Sequence, residues 1–323
     1  MQNNATIYLS LIRIFCIYWV VLVQHNMTPF LPVWNFLPAV NNESLLLFVP
    51  KFSSVVKYIS LLTMPLCFFV SGMVLSITNG LNRNACEFAL NKVKRILLPC
   101  ILFGIAFQVL REKSVNVSAF TGYFHLWFLW YLFIFFGVSK IIRIEKIKSK
   151  KTICFAIMCL ILFPTFLYHI GCGEYGGYFK YYAFFLFGFF FPTSTPEKSW
   201  RKIYLGVTMA SLVIFISVDV WFSCFEKDLF CRIYEIILCP LVVRCCSFVR
   251  PVKEMSFISF IDKNSYGVYI FHAICLYCFY CFGQNVFCFE NFGFLHTSLV
   301  AFGTVPASIC LTLFVRKVFF LRI

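Results

Sequence analysis

Residues 12–26 read IRIFCIYWVVLVQHN, an apolar run with one arginine near its start and one histidine near its end. Its length suits a helix that crosses a membrane, where an ionisable side chain is costly enough to point to a function. Arg13 and His25 are twelve residues apart, about 18 Å along a helix axis at about 1.5 Å per residue. One therefore sits toward the inner face of a bilayer and the other toward the outer face.

The rest of the chain has the same character. It is 61% hydrophobic, 20% aromatic and 13% charged, where a soluble domain carries about 25% charged residues. Forty-four phenylalanines and repeated apolar runs near the length of a span predict an all-α, polytopic bundle of membrane helices. Ten spans are read, at 7–25, 55–78, 96–111, 125–142, 152–169, 178–192, 203–222, 230–249, 264–284 and 297–315. No polar linker divides them, so 1–323 is taken as a single transmembrane domain. The N-terminus has no basic segment before its apolar run and no small-residue cleavage site after it, so the first span is read as uncleaved.

With the N-terminus inside, the inner segments hold eighteen Lys and Arg. The outer ones hold six, at Lys51, Lys57, Arg111, Lys113, Lys180 and Lys227. That asymmetry predicts both termini in the cytoplasm. It also accounts for the net charge of +15 without nucleic acid, since no basic, aromatic-studded soluble segment is left over. The inner segment from Asn84 to Arg95 suits a basic amphipathic helix. It is either a topology signal or a site for an anionic cytosolic ligand. The outer connection from Asn26 to Ser54 contains Pro29, Pro32, Pro38 and Pro50, which argue against a long regular helix there.

Seventeen cysteines do not make a metal site, because none of their spacings is that of a zinc ligand set. Most lie in apolar runs, where cysteine packs as a small hydrophobe. Cys172 and Cys224 leave one outer-loop disulfide open. No G-x-S-x-G, P-loop or H-E-x-x-H motif is present. On the residues alone, His25 is either an interfacial histidine bonded to loop backbone or a general base. Arg13 either snorkels to headgroups or orients an anionic or carbonyl group. His272 is a mid-membrane ionisable group that must find a partner, whereas His169 and His296 read as structural. Arg232 and Glu235, three apart, neutralise each other on a helix.

Four stretches nevertheless fall in a familiar order: RIFCIYWVVLVQH (13–25), PLCFFVSGMVLS (65–76) with KVKRILLP (92–99), HLWFLWYLF (125–133) and NSYGVYIFHA (264–273). In these the chain resembles acyltransferase family 3, membrane proteins that O-acylate glycans and other acceptors. Residues 145–260 match only as generic spans. The resemblance implies about ten helices, a cytosolic acyl-CoA donor (acetyl-CoA in the first instance), no metal, and a glycan or lipid-linked sugar acceptor at the outer face of a bacterial inner membrane. It assigns His25 as general base or transient acyl carrier and Arg13 as the residue that orients the donor. Arg83, Lys92, Lys94 and Arg95 become candidates for the CoA phosphates. Ser71, His125, Trp127, Tyr266 and His272 are candidates to line the site, although Ser71 with Gly72 reads more as a close-packing point than as a nucleophile.

The match departs in one place. The family's usual arginine-to-histidine interval is eleven residues, and here it is twelve. At about 100° per residue eleven positions return to about 20° and twelve to about 120°, so a regular helix would turn His25 off the face of Arg13. A one-residue bulge would restore the alignment. A transporter or flippase for a glycan or lipid-linked intermediate remains the alternative, with Glu235, Arg244 and His272 as the polar groups of a substrate path.

Overall fold

The computed structural model describes residues 4–21, 49–147, 149, 152–153, 156–157, 159–160, 173–192, 198–222, 228–248, 256–287 and 293–319. Among them the helices are α1 (Asn4–Trp19), α2 (Val49–Ile77), α3 (Ala85–Lys92), α4 (Leu98–Glu112), α5 (Trp127–Ile142), α6 (Gly173–Phe190), α7 (Arg201–Phe222), α8 (Asp228–Ser247), α9 (Ser256–Phe287) and α10 (Gly293–Phe319). No strand occurs among the described residues. Among the described residues, four helical stretches are long and apolar enough to cross a membrane, at Tyr58–Ile77, Ala85–Glu112, Phe124–Ile142 and Arg201–Val218.

Two expectations are corrected. The amphipathic segment and the third span are one helix, because α3 runs through a π-helical turn at Val93–Leu97 straight into α4. The helix of the second expected span starts earlier than residue 55, because α2 begins at Val49. Pro50 then falls in the first turn, where a missing N–H breaks no helical bond.

The chain divides into two compact units, each assembled from separate stretches. The first comprises Met1–Arg13, Leu61–Ala89 and Ile134–Met255. Its core is aromatic. Phe68 meets Phe135 and Tyr181 at ring-centroid distances of 5.2 and 5.0 Å, and Phe136 meets Phe185 at 5.5 Å. Gly72 of α2 lies against the Phe185 carbonyl of α6, and Gly188 of α6 lies against the Phe69 carbonyl of α2. The two backbones thus touch at two points, as small residues allow in membrane helices, where dispersion contact and not water exclusion drives association. Helix α7 packs along α8 and leaves Ile203, Leu205, Met209, Val213 and Ile214 exposed, as a lipid-facing span requires.

The second unit comprises Ile14–Ser60, Leu90–Phe133 and Ser256–Ile323. Here α9 and α10 form the most extensive pair. Gly267 lies against Thr312. At the base of the pair Arg316 donates to the Asn264 side chain (3.0 Å) and to the Lys263 carbonyl (2.6 Å). Thr304, Ser308 and Thr312 are buried at four-residue intervals, and the last two hydroxyls donate to carbonyls four residues back.

The glycine contacts make a stability prediction. Gly188→Ala should destabilise the folded protein by about 1–3 kcal/mol through overpacking, since its Cβ would fall inside the Phe69 backbone. Gly206 has nothing within 4 Å of the corresponding position, so Gly206→Ala should be neutral or stabilise by up to about 1 kcal/mol. Thermal unfolding of the purified chain in detergent would separate the two.

Candidate functional site

The candidate site residues lie in both units, and each group is placed within its own. In the first unit, Arg13 is exposed on α1. Ser71 donates to the carbonyl of Cys67 on its own helix at 2.8 Å, beside the close contact at Gly72. Arg83 is exposed just after the turn Gly80–Asn82. Its carbonyl accepts from Lys140 Nζ at 2.8 Å, and the same ammonium also donates to the Leu81 carbonyl. Lys140 thereby fastens the loop that carries Arg83.

The remainder of α1 lies in the second unit and does not stay regular. Val20 and Val21 are π-helical. A π bulge inserts one residue into the α-helical ladder. His25 lies outside the described residues.

The basic cluster of the second unit sits on the other widened turn. Lys94 and Arg95 are exposed on Val93–Leu97, and Lys92 is half-buried immediately before it. Tyr266 reaches this turn, its hydroxyl donating to the Arg95 carbonyl at 2.6 Å. Trp127 is half-buried at the start of α5, 6.1 Å from the Tyr131 ring.

His125 and His272 come together in the second unit, both buried, with ring centroids 4.6 Å apart. The approach of His125 is strained. Gly122 has φ +91° and Phe124 φ +56°, and the latter is a left-handed conformation that costs an L-residue about 1–2 kcal/mol. Such strain concentrates at sites where geometry matters. His125 Nε2 donates to the Ile270 carbonyl at 3.0 Å, and Tyr269 donates back to the His125 carbonyl. His272 Nδ1 donates to the Tyr269 carbonyl at 2.7 Å. A carbonyl only accepts, so these contacts fix the neutral tautomers. The basic atoms are His125 Nδ1 and His272 Nε2.

A polar network closes the end of α4 in the same unit. Glu112 accepts from Tyr123 and Gln108, Gln108 accepts from the Asn116 amide, and Arg111 donates to Tyr123. Burial, together with the Glu112 carboxylate that accepts its proton, raises the Tyr123 phenol above its ordinary pKa. Phe107, Tyr123 and Ala273 form the apolar floor below.

One buried feature was misread from the sequence. Lys180, counted there as an outer-side cation, is buried in α6 and donates to Glu235 of α8 at 2.6 Å. Arg232, the expected partner, lies farther from Glu235, at 3.7 Å. The signal was available, because a lysine within the aromatic run GYFKYYAFF must find an anion inside the bundle. Arg244 stacks over the Phe191 ring at 4.4 Å.

Among the described residues no group of three His, Cys, Asp or Glu is placed to hold a metal. Cys67, Cys86, Cys100, Cys159, Cys239, Cys245, Cys246, Cys275 and Cys310 are in no disulfide, and Cys172 and Cys224 lie outside the described residues.

Comparison with known proteins adds one match. The model of a protein family, described as an acyltransferase domain, matches residues 6–313. No curated protein and no solved structure matches the chain.

The buried ion pair predicts a specific asymmetry. Glu235→Leu alone strands a buried lysine and should cost about 3–5 kcal/mol, whereas Lys180→Met combined with Glu235→Leu should recover most of that loss. A double-mutant cycle on thermal unfolding measures it.

Proposed function

The chain belongs to acyltransferase family 3 and is a multi-pass membrane protein, and from that premise we propose that it moves an acyl group, acetyl in the first instance, from cytosolic acyl-CoA to a hydroxyl of a glycan or lipid-linked sugar. In this reading the whole chain acts as one domain of about ten spans, both termini are cytoplasmic, and the membrane is a bacterial inner membrane. The observation that carries the reading is the π-helical backbone at Val20 and Val21. One extra residue in the ladder is what a shared face for Arg13 and His25 requires over a twelve-residue interval, so this π turn supports their pairing.

His25 is the general base. Its neutral imidazole accepts the acceptor's hydroxyl proton as the oxygen attacks the thioester carbonyl. The new C–O bond replaces the C–S bond, and the CoA sulfur leaves and takes up the proton. The same residue can instead carry the acyl group transiently, its nitrogen attacking first. Arg13 orients the donor through its planar guanidinium. Arg83, Lys92, Lys94 and Arg95 hold the CoA phosphates. His125 and His272 line the site, each with one ring nitrogen bound to a carbonyl and the other basic.

His25→Ala should lower acyl transfer by about 10²–10⁴-fold while leaving expression and thermal stability close to wild type. His25→Gln should be nearly as inactive, because an amide cannot take the proton. Mass spectrometry of surface glycans with and without the protein reads the product directly. Loss of one acyl mass in its absence names both chemistry and acceptor, and normal acylation by His25→Ala would remove this residue from the mechanism.

Topology is tested separately. The five basic residues in Arg143–Lys151 should place that segment in the cytosol. A cysteine introduced there, in a background lacking accessible native cysteines, should resist an impermeant thiol reagent added from outside.

A further inference from the structure

We infer that Tyr266 and Pro99 together act as a positioning device for the basic turn that carries Lys94 and Arg95, setting the direction in which those cations meet the phosphates of the donor. The inference rests on the donor role proposed for that turn and adds the residues that shape it.

The device begins with proline chemistry. Pro99 has no N–H, and its ring collides with the carbonyl four residues back, which is that of Arg95. The helix does not break there. It widens instead, and the Leu98 amide donates to the Val93 carbonyl five residues back, the signature of a π turn. The Arg95 carbonyl has lost its α-helical donor, and a backbone acceptor left without one takes a partner from elsewhere in the protein or from water. The Tyr266 hydroxyl makes the loss good at 2.6 Å, from 171 residues further along the chain.

Tyr266 is itself held. Asn264 and Lys263, just before it, are clamped by Arg316 of α10. The Asn264 and Ser265 side chains bond carbonyls of their own helix, at Phe260 and Asp262. Gly267, just after it, is pressed against Thr312. The hydroxyl therefore reaches Arg95 from a fixed base.

The consequence is rotational. Helix α4 is fixed by its buried face of Cys100, Gly104, Phe107 and Gln108. Ile96 is buried, while Lys94 and Arg95 are exposed. Removing one residue's worth of widening turns what precedes it by about 100° against that face. Lys94 would then leave the direction it now has.

The test uses the purified full chain in detergent, with acetyl-CoA as the probe and its affinity read by isothermal titration. Thermal unfolding runs alongside. Tyr266→Phe keeps the ring and removes only the hydroxyl. It should weaken acetyl-CoA binding about fivefold, the factor that one hydrogen bond supports, with little change in melting temperature. Pro99→Ala restores an N–H and lets the helix close. It should leave melting temperature equal or higher and still weaken acetyl-CoA binding. A purely structural role predicts the reverse, with stability changed and affinity preserved. Lys94→Gln with Arg95→Gln serves as the reference. If that pair weakens binding while Tyr266→Phe and Pro99→Ala do not, the positioning role is overturned and the donor reading survives. If the pair leaves binding unchanged, the donor reading of the turn falls, and the positioning role with it.

Discussion

A backbone carbonyl in hydrocarbon has no water to turn to, so every N–H that a proline removes must be replaced from within the protein. Much of this chain's local structure answers that constraint. Pro65, Pro240 and Pro306 sit inside helices that continue past them. At Pro99 the helix opens by one residue and a tyrosine from α9 reaches the exposed oxygen. Hydroxyls inside the helices follow the same rule, since the half-buried Ser71 and the buried Ser308 and Thr312 all donate to carbonyls of their own helices.

Once the backbone is satisfied, what holds helices together in lipid is contact. The glycines at 72 and 188 bring α2 and α6 together backbone to backbone, and the rings of Phe68, Phe135, Tyr181 and Phe185 fill the space beside them. The second unit uses a different means at the foot of α9 and α10, where a guanidinium fork ties the helix that carries Tyr266. The strained Phe124 belongs to the same economy of placement. The turn it makes lets His125 lie against His272 beneath Phe107 and beside Tyr269.

The all-helical character was legible because apolar runs near twenty residues have few other uses. A twelve-residue interval calls for a bulge if Arg13 and His25 are to share a face, and the π-helical Val20 and Val21 fall within it, while His25 lies outside the described residues. The continuity of α3 and α4 was not legible. Proline and a cluster of cations look like a boundary, and only the distant Tyr266 hydroxyl shows how the chain passes through. Lys180 was misassigned for a related reason, because counting cations by span treats a lysine near a boundary as exposed, whereas its partner lay 55 residues away. The meeting of His125 with His272 depends on a left-handed phenylalanine that no local preference would foresee.

The distance between Lys180 and Glu235 has a consequence for how the protein is made. Helix α6 leaves the ribosome before α8 does. During that interval its lysine has no anion to pair with inside the bundle. That ends only when Glu235 arrives. The ion pair that ties α6 to α8 therefore forms only after α7, the helix between them, has been made. Order of synthesis, and not apolarity alone, therefore sets when this part of the bundle can close around its buried charge.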